Sequence, residues 1–143
     1  MIKSEEILQR FHRIKMLMDA TKSKAFKDTS LSSTEVRILL KIPLDEEITP
    51  TKLSELTNFS NTLITFSADS LEEKGLIERN RGTDKRTIKL KLTEKGRLRQ
   101  QMDRKEFNEN FDRMISKLSD QELEDMIKSF DAVILYLQKL VDS

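Results

Sequence analysis

Apolar residues recur along most of this chain at helical spacing and switch to strict alternation in one short stretch past its middle. Ile7, Phe11, Ile14 and Met18 stand four, three and four apart, with Leu8 and Leu17 widening the stripe. That pattern predicts an amphipathic first helix of about 20 residues. Ser32-Ser33-Thr34-Glu35 reads as a capping box opening a second helix with Val36, Leu39 and Leu40, which Pro43 ends or bends. Thr49-Pro50 pairs an N-cap hydroxyl with proline at the first helical position, and the short helix it opens holds Leu53 and Leu56. Asn58-Phe59 makes a tight connection to Ser60, a further N-cap. Beyond it Ile64, Ala68 and Leu71 share a face, and Lys74-Gly75 closes the helix. Two short helices joined in this way form a helix-turn-helix.

Leu76-Ile77-Glu78-Arg79 and Thr87-Ile88-Lys89-Leu90-Lys91-Leu92 then bracket a polar tip containing Gly82. Ile88, Leu90 and Leu92 alternate with Lys89 and Lys91, which predicts a β-hairpin with one apolar and one basic face. A helix-turn-helix followed by such a hairpin is a winged helix. Leu98, Met102, Phe107, Phe111, Met114, Ile115 and Leu118 fall along one long helix starting near Thr93. Ser119-Asp120-Gln121-Glu122 is a second capping box, opening a last helix with Leu123, Met126, Ile127, Phe130, Val133, Ile134, Leu137, Leu140 and Val141. So wide a stripe needs a partner surface. The expected fold is mainly α with a small β-hairpin wing (α+β), a six-helix winged helix-turn-helix dimerising through its N- and C-terminal helices. Ile7, Phe11, Phe130, Leu137 and Leu140 are the expected dimer contacts. Burial within one chain would also account for the stripe.

Composition narrows the function. The 143 residues include three Gly and two Pro, too few for a turn-rich β-sandwich, and suffice for one domain, 1–143. Within it, 32–93 reads as the winged lobe and 1–31 plus 94–143 as a helical dimerisation region. With no Cys and His12 as the only histidine, zinc fingers, thiol switches and multi-histidine sites are excluded. The expectation is no cofactor, no metal and no catalytic residue. His12 itself reads as a half-exposed interface residue, with a ligand contact as the minority reading. The six methionines read as core filler rather than a ligand box. No membrane span and no leader pattern are visible, so a cytoplasmic protein is expected.

The formal net charge of +1 conceals a segregation. Residues 44–73 carry one Lys against seven acids, whereas residues 74–99 carry ten Lys/Arg against three acids. That basic block coincides with the hairpin, where cations would meet phosphates. The candidate reader of a DNA groove is the helix from Ser60 to Lys74, through Asn61, Thr62, Thr65, Phe66, Asp69 and Ser70. Asn bonds bidentately to adenine, and Thr methyls or Phe touch a thymine methyl. The candidate wing comprises Arg79, Arg81, Asp84, Lys85, Arg86 and Lys89. An arginine at the tip suits a narrow minor groove, and Asp84 would orient Arg86 or simply form the turn.

Leu71-Glu72-Glu73-Lys74-Gly75-Leu76-Ile77-Glu78-Arg79, then Asp84-Lys85-Arg86, then Leu90-Lys91-Leu92-Thr93-Glu94-Lys95-Gly96 resembles the MarR family of transcriptional regulators. The resemblance implies a homodimer on a pseudo-palindromic operator of double-stranded DNA, with the helix around Asn61–Ser70 in the major groove and Arg86 in the minor groove. It also implies a small-molecule effector that releases DNA, and a repressor rather than an enzyme. One departure stands out: family reader helices commonly carry arginines where this chain has Asn61, Phe66 and Ser70. Phosphate affinity is therefore expected from Arg79, Arg81, Lys85, Arg86, Lys89 and Lys91, with Arg37 and Lys52 secondary. The departure leaves an alternative, a winged-helix interaction module with weak intrinsic DNA binding.

Overall fold

Three hydroxyl side chains open the three short helices of the first half of the chain. Ser32 Oγ accepts from the Glu35 N–H (3.1 Å) while the Glu35 carboxylate accepts from the Ser32 N–H (3.2 Å), closing the capping box of α2, Ser33–Lys41. Thr49 Oγ1 accepts from the Lys52 N–H (3.1 Å) and starts α3, Pro50–Thr57. Ser60 Oγ accepts from the Leu63 N–H (3.1 Å) and starts α4, Asn61–Glu73. Each bond satisfies an N–H that has no partner within its helix. Asn58 bridges α3 and α4 in a left-handed conformation (φ 60°), which asparagine tolerates better than most residues. The computed structural model of the chain describes residues 2–26, 30–81 and 88–142. The remaining elements are α1, Ser4–Ala25; β1, Ile77–Arg81; β2, Ile88–Leu92; α5, Glu94–Ile115; and α6, Asp120–Asp142.

The chain divides into two compact units, residues 1–108 and 109–143, with the boundary inside α5. In the first unit, α2, α3, α4 and the hairpin enclose one apolar cluster that includes Ile38, Leu39, Leu53, Ile64, Leu71, Ile77 and Leu90. Strand β2 alternates as its sequence requires, with Leu90 and Leu92 buried and Lys89 and Lys91 exposed. It pairs antiparallel with β1, setting Ile77 opposite Leu92 and Arg79 opposite Leu90. A further bridge was not foreseen: Ile48 exchanges both backbone hydrogen bonds with Leu90 (2.9 and 2.7 Å), pinning the acidic segment before α3 to the sheet edge.

The end of α4 and the start of α5 meet at two glycines. Gly75 takes φ 75°, its N–H bonds Glu72 O (2.9 Å), and the Leu76 N–H bonds Leu71 O (3.0 Å). This is a Schellman closure, sealed by the buried Leu71 and Leu76 side chains. At Gly96 a β-carbon would stand 1.9 Å from the Leu76 carbonyl oxygen. Thr93 secures the approach, its hydroxyl donating to Gly75 O (2.6 Å) and accepting from the Gly96 N–H (2.9 Å).

Further along α5 the buried side chains in the first unit are polar. Gln100 donates both amide hydrogens, to Leu39 O and Ile42 O (2.7 Å each), and Arg104 donates to Leu40 O (3.0 Å). These bonds cap the carbonyl end of α2. One expectation is corrected here: Leu118 lies beyond α5, which ends at Ile115; Leu98 and Met102 fall on α5 as expected and are exposed. The α5 face that packs on α2 meets carbonyl groups, so donors rather than apolar side chains occupy it.

In the second unit the capping box opens α6 as expected, with Ser119 Oγ accepting from the Glu122 N–H (3.1 Å) and Glu122 accepting from the Ser119 N–H (3.0 Å). None of the α6 residues is buried.

Glu35 ties α2 to the end of α4: its Oε2 accepts from Lys74 Nζ (2.9 Å) and Ser70 Oγ (3.0 Å). Burial pushes its carboxyl up. Lys74, the Ser32 N–H and the Ser70 and Ser32 hydroxyls outweigh that and hold it below the ordinary glutamate value. A depressed carboxyl stabilises the fold at pH above its unfolded value and loses that contribution as pH falls through the folded one. Urea titrations should show Glu35→Gln less stable than wild type at pH 7, with the gap closing below about pH 4. Gly96→Ala should cost about 3 kcal/mol or more in the same assay, because backbone atoms must move.

Candidate nucleic-acid interface

The outer face of α4 follows from which of its positions the core takes. Ile64, Ser67, Ala68 and Leu71 point inward, which leaves Asn61, Thr62, Thr65, Phe66 and Asp69 exposed around one open hollow of about 450 Å³. Phe66 is 73% exposed, an unusual position for a phenylalanine without a partner. Ser70 differs from the other reader candidates: it is half-buried and donates to Glu35 (3.0 Å). A helix such as α4 is narrow enough to enter the major groove of B-DNA.

On the outer face of the hairpin, Lys89 stands opposite Asn80 and Lys91 opposite Glu78. Both lysines are exposed. The Asn80 amide donates to Glu47 (3.3 Å). Arg79 turns back onto α4, where its guanidinium meets Asp69 (2.5 Å) and Glu72 (3.5 Å). Asp84, Lys85 and Arg86, with the Arg81 side chain, lie outside the described residues. Of the secondary cations, Lys52 is exposed beside Glu55 (3.7 Å), while Arg37 lies over the Phe59 ring (5.2 Å) and 3.9 Å from Asp19.

A second feature of the first unit went unnoticed in the sequence. A cavity of about 460 Å³ is lined by Lys22, Phe26, Arg37, Leu40, Lys41, Leu56, Thr57, Asn58, Arg104 and Phe107. Its lining has four cations and no carboxylate, and the Phe26 and Phe107 rings meet at 4.7 Å. These residues come from four helices far apart in sequence, so no local motif announces them. Among the described residues no group of His, Asp or Glu is placed to hold a metal, and no helix is long and apolar enough to cross a membrane.

Residues 31–88, spanning α2 to the first residue of β2, match the family model described as the MarR family. That winged-helix segment is similar to the MarR family. Solved structures extend the likeness in fold to nearly the whole chain. The fold is shared with the transcriptional regulator BldR from Sulfolobus solfataricus (TM-score 0.72, 23% identity, covering 95% of this chain and 99% of that one). Apo MarR from E. coli superposes with TM-score 0.73 at 19% identity, covering 93% and 98%. Streptococcus pneumoniae FabT, solved in complex with DNA, gives TM-score 0.65 at 25% identity, covering 95% and 96%. No curated protein matches the sequence. Six helices with a two-stranded antiparallel hairpin are the expected winged-helix architecture of MarR proteins.

The exposure of Phe66 has a direct consequence for stability. Phe66→Ala should leave the unfolding free energy within about 0.5 kcal/mol of wild type, as for surface substitutions that break no packing. Thermal melts would show a larger loss if the ring were part of the core.

Proposed function

We propose that this chain is a sequence-specific DNA-binding transcriptional regulator, a repressor that acts as a homodimer on a pseudo-palindromic operator. The observation that carries the reading is the exposed face of α4, where Asn61, Thr62, Thr65 and Phe66 face outward beside a basic hairpin. Asn61 and Thr65 would read base edges, and Arg81, Lys85, Arg86 and Lys89 would supply phosphate and minor-groove contacts. The FabT–DNA complex supports the same assignment by likeness of fold.

Surface chemistry supports dimerisation. Ile7 and Phe11 on α1, and Phe130, Leu137 and Leu140 on α6, are all exposed in a single chain. An unpartnered α6 would present Ile127, Ile134, Tyr136 and Val141 to water as well, which monomers avoid. A second copy covering these faces is the economical answer, and two-fold symmetry would match a palindromic site.

The cationic cavity supports effector control of the DNA-bound state. Lys22, Arg37, Lys41 and Arg104 around the Phe26–Phe107 pair suit a small aromatic anion. The exposed Phe66 on a cation-free helix favours one competing reading, a module whose α4 face binds a protein.

Fluorescence anisotropy across a salt series decides between them. The regulator predicts tight binding to one duplex and weak binding to its scrambled control; equally weak binding to both, vanishing at physiological salt, would favour the protein partner. Arg86→Ala should weaken the specific complex by about 1–3 kcal/mol. Leu137→Asp should sediment as a monomer, and a dimer in that variant would place the interface elsewhere.

A further inference from the structure

Helix α4 carries Asp69, Glu72 and Glu73 and no Lys or Arg. A helix of that charge is repelled by a phosphate backbone unless its carboxylates are neutralised. Arg79, on β1, meets two of them. Its Nη2 lies 2.5 Å from Asp69 Oδ1 and donates to Thr65 O (3.4 Å), its Nη1 lies 3.5 Å from Glu72 Oε1, and its backbone N–H donates to Glu72 Oε2 (3.2 Å). Thr65, Asp69 and Glu72 stand four and three apart, so they form one stripe of the helix. Thr65 and Asp69 also border the hollow that holds Asn61, Thr62 and Phe66. The Arg79 side chain is 20% exposed against 61% for Asp69, so the guanidinium sits behind the carboxylates and not in front of them.

We propose that Arg79 is a positioning residue of the DNA interface, acting through Asp69 and Glu72 and not through a phosphate. The inference rests on the DNA-binding reading above and departs from the charge pattern, which counted Arg79 among the phosphate cations. Two effects combine in one side chain. The guanidinium cancels charge that would push α4 out of the groove, and its contacts with Asp69, Glu72 and Thr65 fix the strand leading into the wing against the reader helix. Lysine could supply the charge but not the planar fork that bridges two carboxylates.

The test is a mutant cycle read by anisotropy on a duplex that the wild-type protein selects from a random-sequence library, at several salt concentrations. Arg79→Ala should weaken binding roughly tenfold. The pair Asp69→Asn with Glu72→Gln should recover most of that loss in the Arg79→Ala background, beyond any change it makes in the wild-type background. Arg79→Lys should fall between. Equal gains in both backgrounds would show independent action and overturn the proposal. So would an Arg79→Ala loss of about 0.9 in the salt slope that the pair does not restore, because that marks a direct phosphate contact. If Arg79→Ala does not fold by circular dichroism, Arg79→Lys carries the cycle, and its loss must vanish in the same double background. Failure of the wild type to select any duplex would overturn the DNA-binding reading and this inference with it; selection without coupling would overturn this inference alone.

Discussion

Backbone packs directly on backbone where α5 begins, with Gly96 against the Leu76 carbonyl. The surrounding geometry depends on it. Thr93 bonds across to Gly75, the turn that ends α4, and its N–H bonds Leu76 O (3.1 Å). The exit of α4, the entry to β1 and the start of α5 are thus joined within a few residues. A side chain at position 96 would force these three elements apart together, which is the physical content of the Leu-Thr-x-x-Gly pattern.

A second joint, at α2, is made of polar groups. Glu35 at its N-terminal end takes Lys74 and Ser70 from α4, and the carbonyls at its C-terminal end take Gln100 and Arg104 from α5. Such bonds are directional, and leaving a buried carbonyl unmade costs about 1–3 kcal/mol. They therefore fix the placement of α2 more sharply than apolar packing, which tolerates sliding and volume-conserving exchange. Arg104 also lines the cationic cavity, so the group that caps α2 faces the space an anion would occupy.

How much of this was legible in the sequence depends on range. Capping boxes, the Thr49-Pro50 start, the Gly75 stop and the Ile88/Leu90/Leu92 alternation act within a few residues, and each could be read from adjacent letters. The Ile48–Leu90 bridge could not, since a single paired residue leaves no period. The burial of Gln100 also gave no warning, because it depends on carbonyls about 60 residues away in sequence. The exposed positions of α4 followed from helical spacing. The attachment of Arg79 to α4 did not, because a charge count carries no direction.

That last difference bears on how a cation-free helix can serve at a DNA surface. Net charge over residues 74–99 suggests a uniformly attractive hairpin, but Arg79 faces Asp69 and Glu72 while Lys91 stands opposite Glu78. Cations spent on neighbouring carboxylates release few counterions when DNA arrives. They lower repulsion without adding to the salt-dependent attraction. On α4 what remains is Asn61, Thr62, Thr65 and Phe66, groups whose contacts with base edges are short-ranged and geometric. On the DNA-binding reading proposed above, an interface so arranged would weaken its attachment to arbitrary duplexes more than its grip on a matched one. The missing arginines would then shift the balance of the complex from affinity toward discrimination.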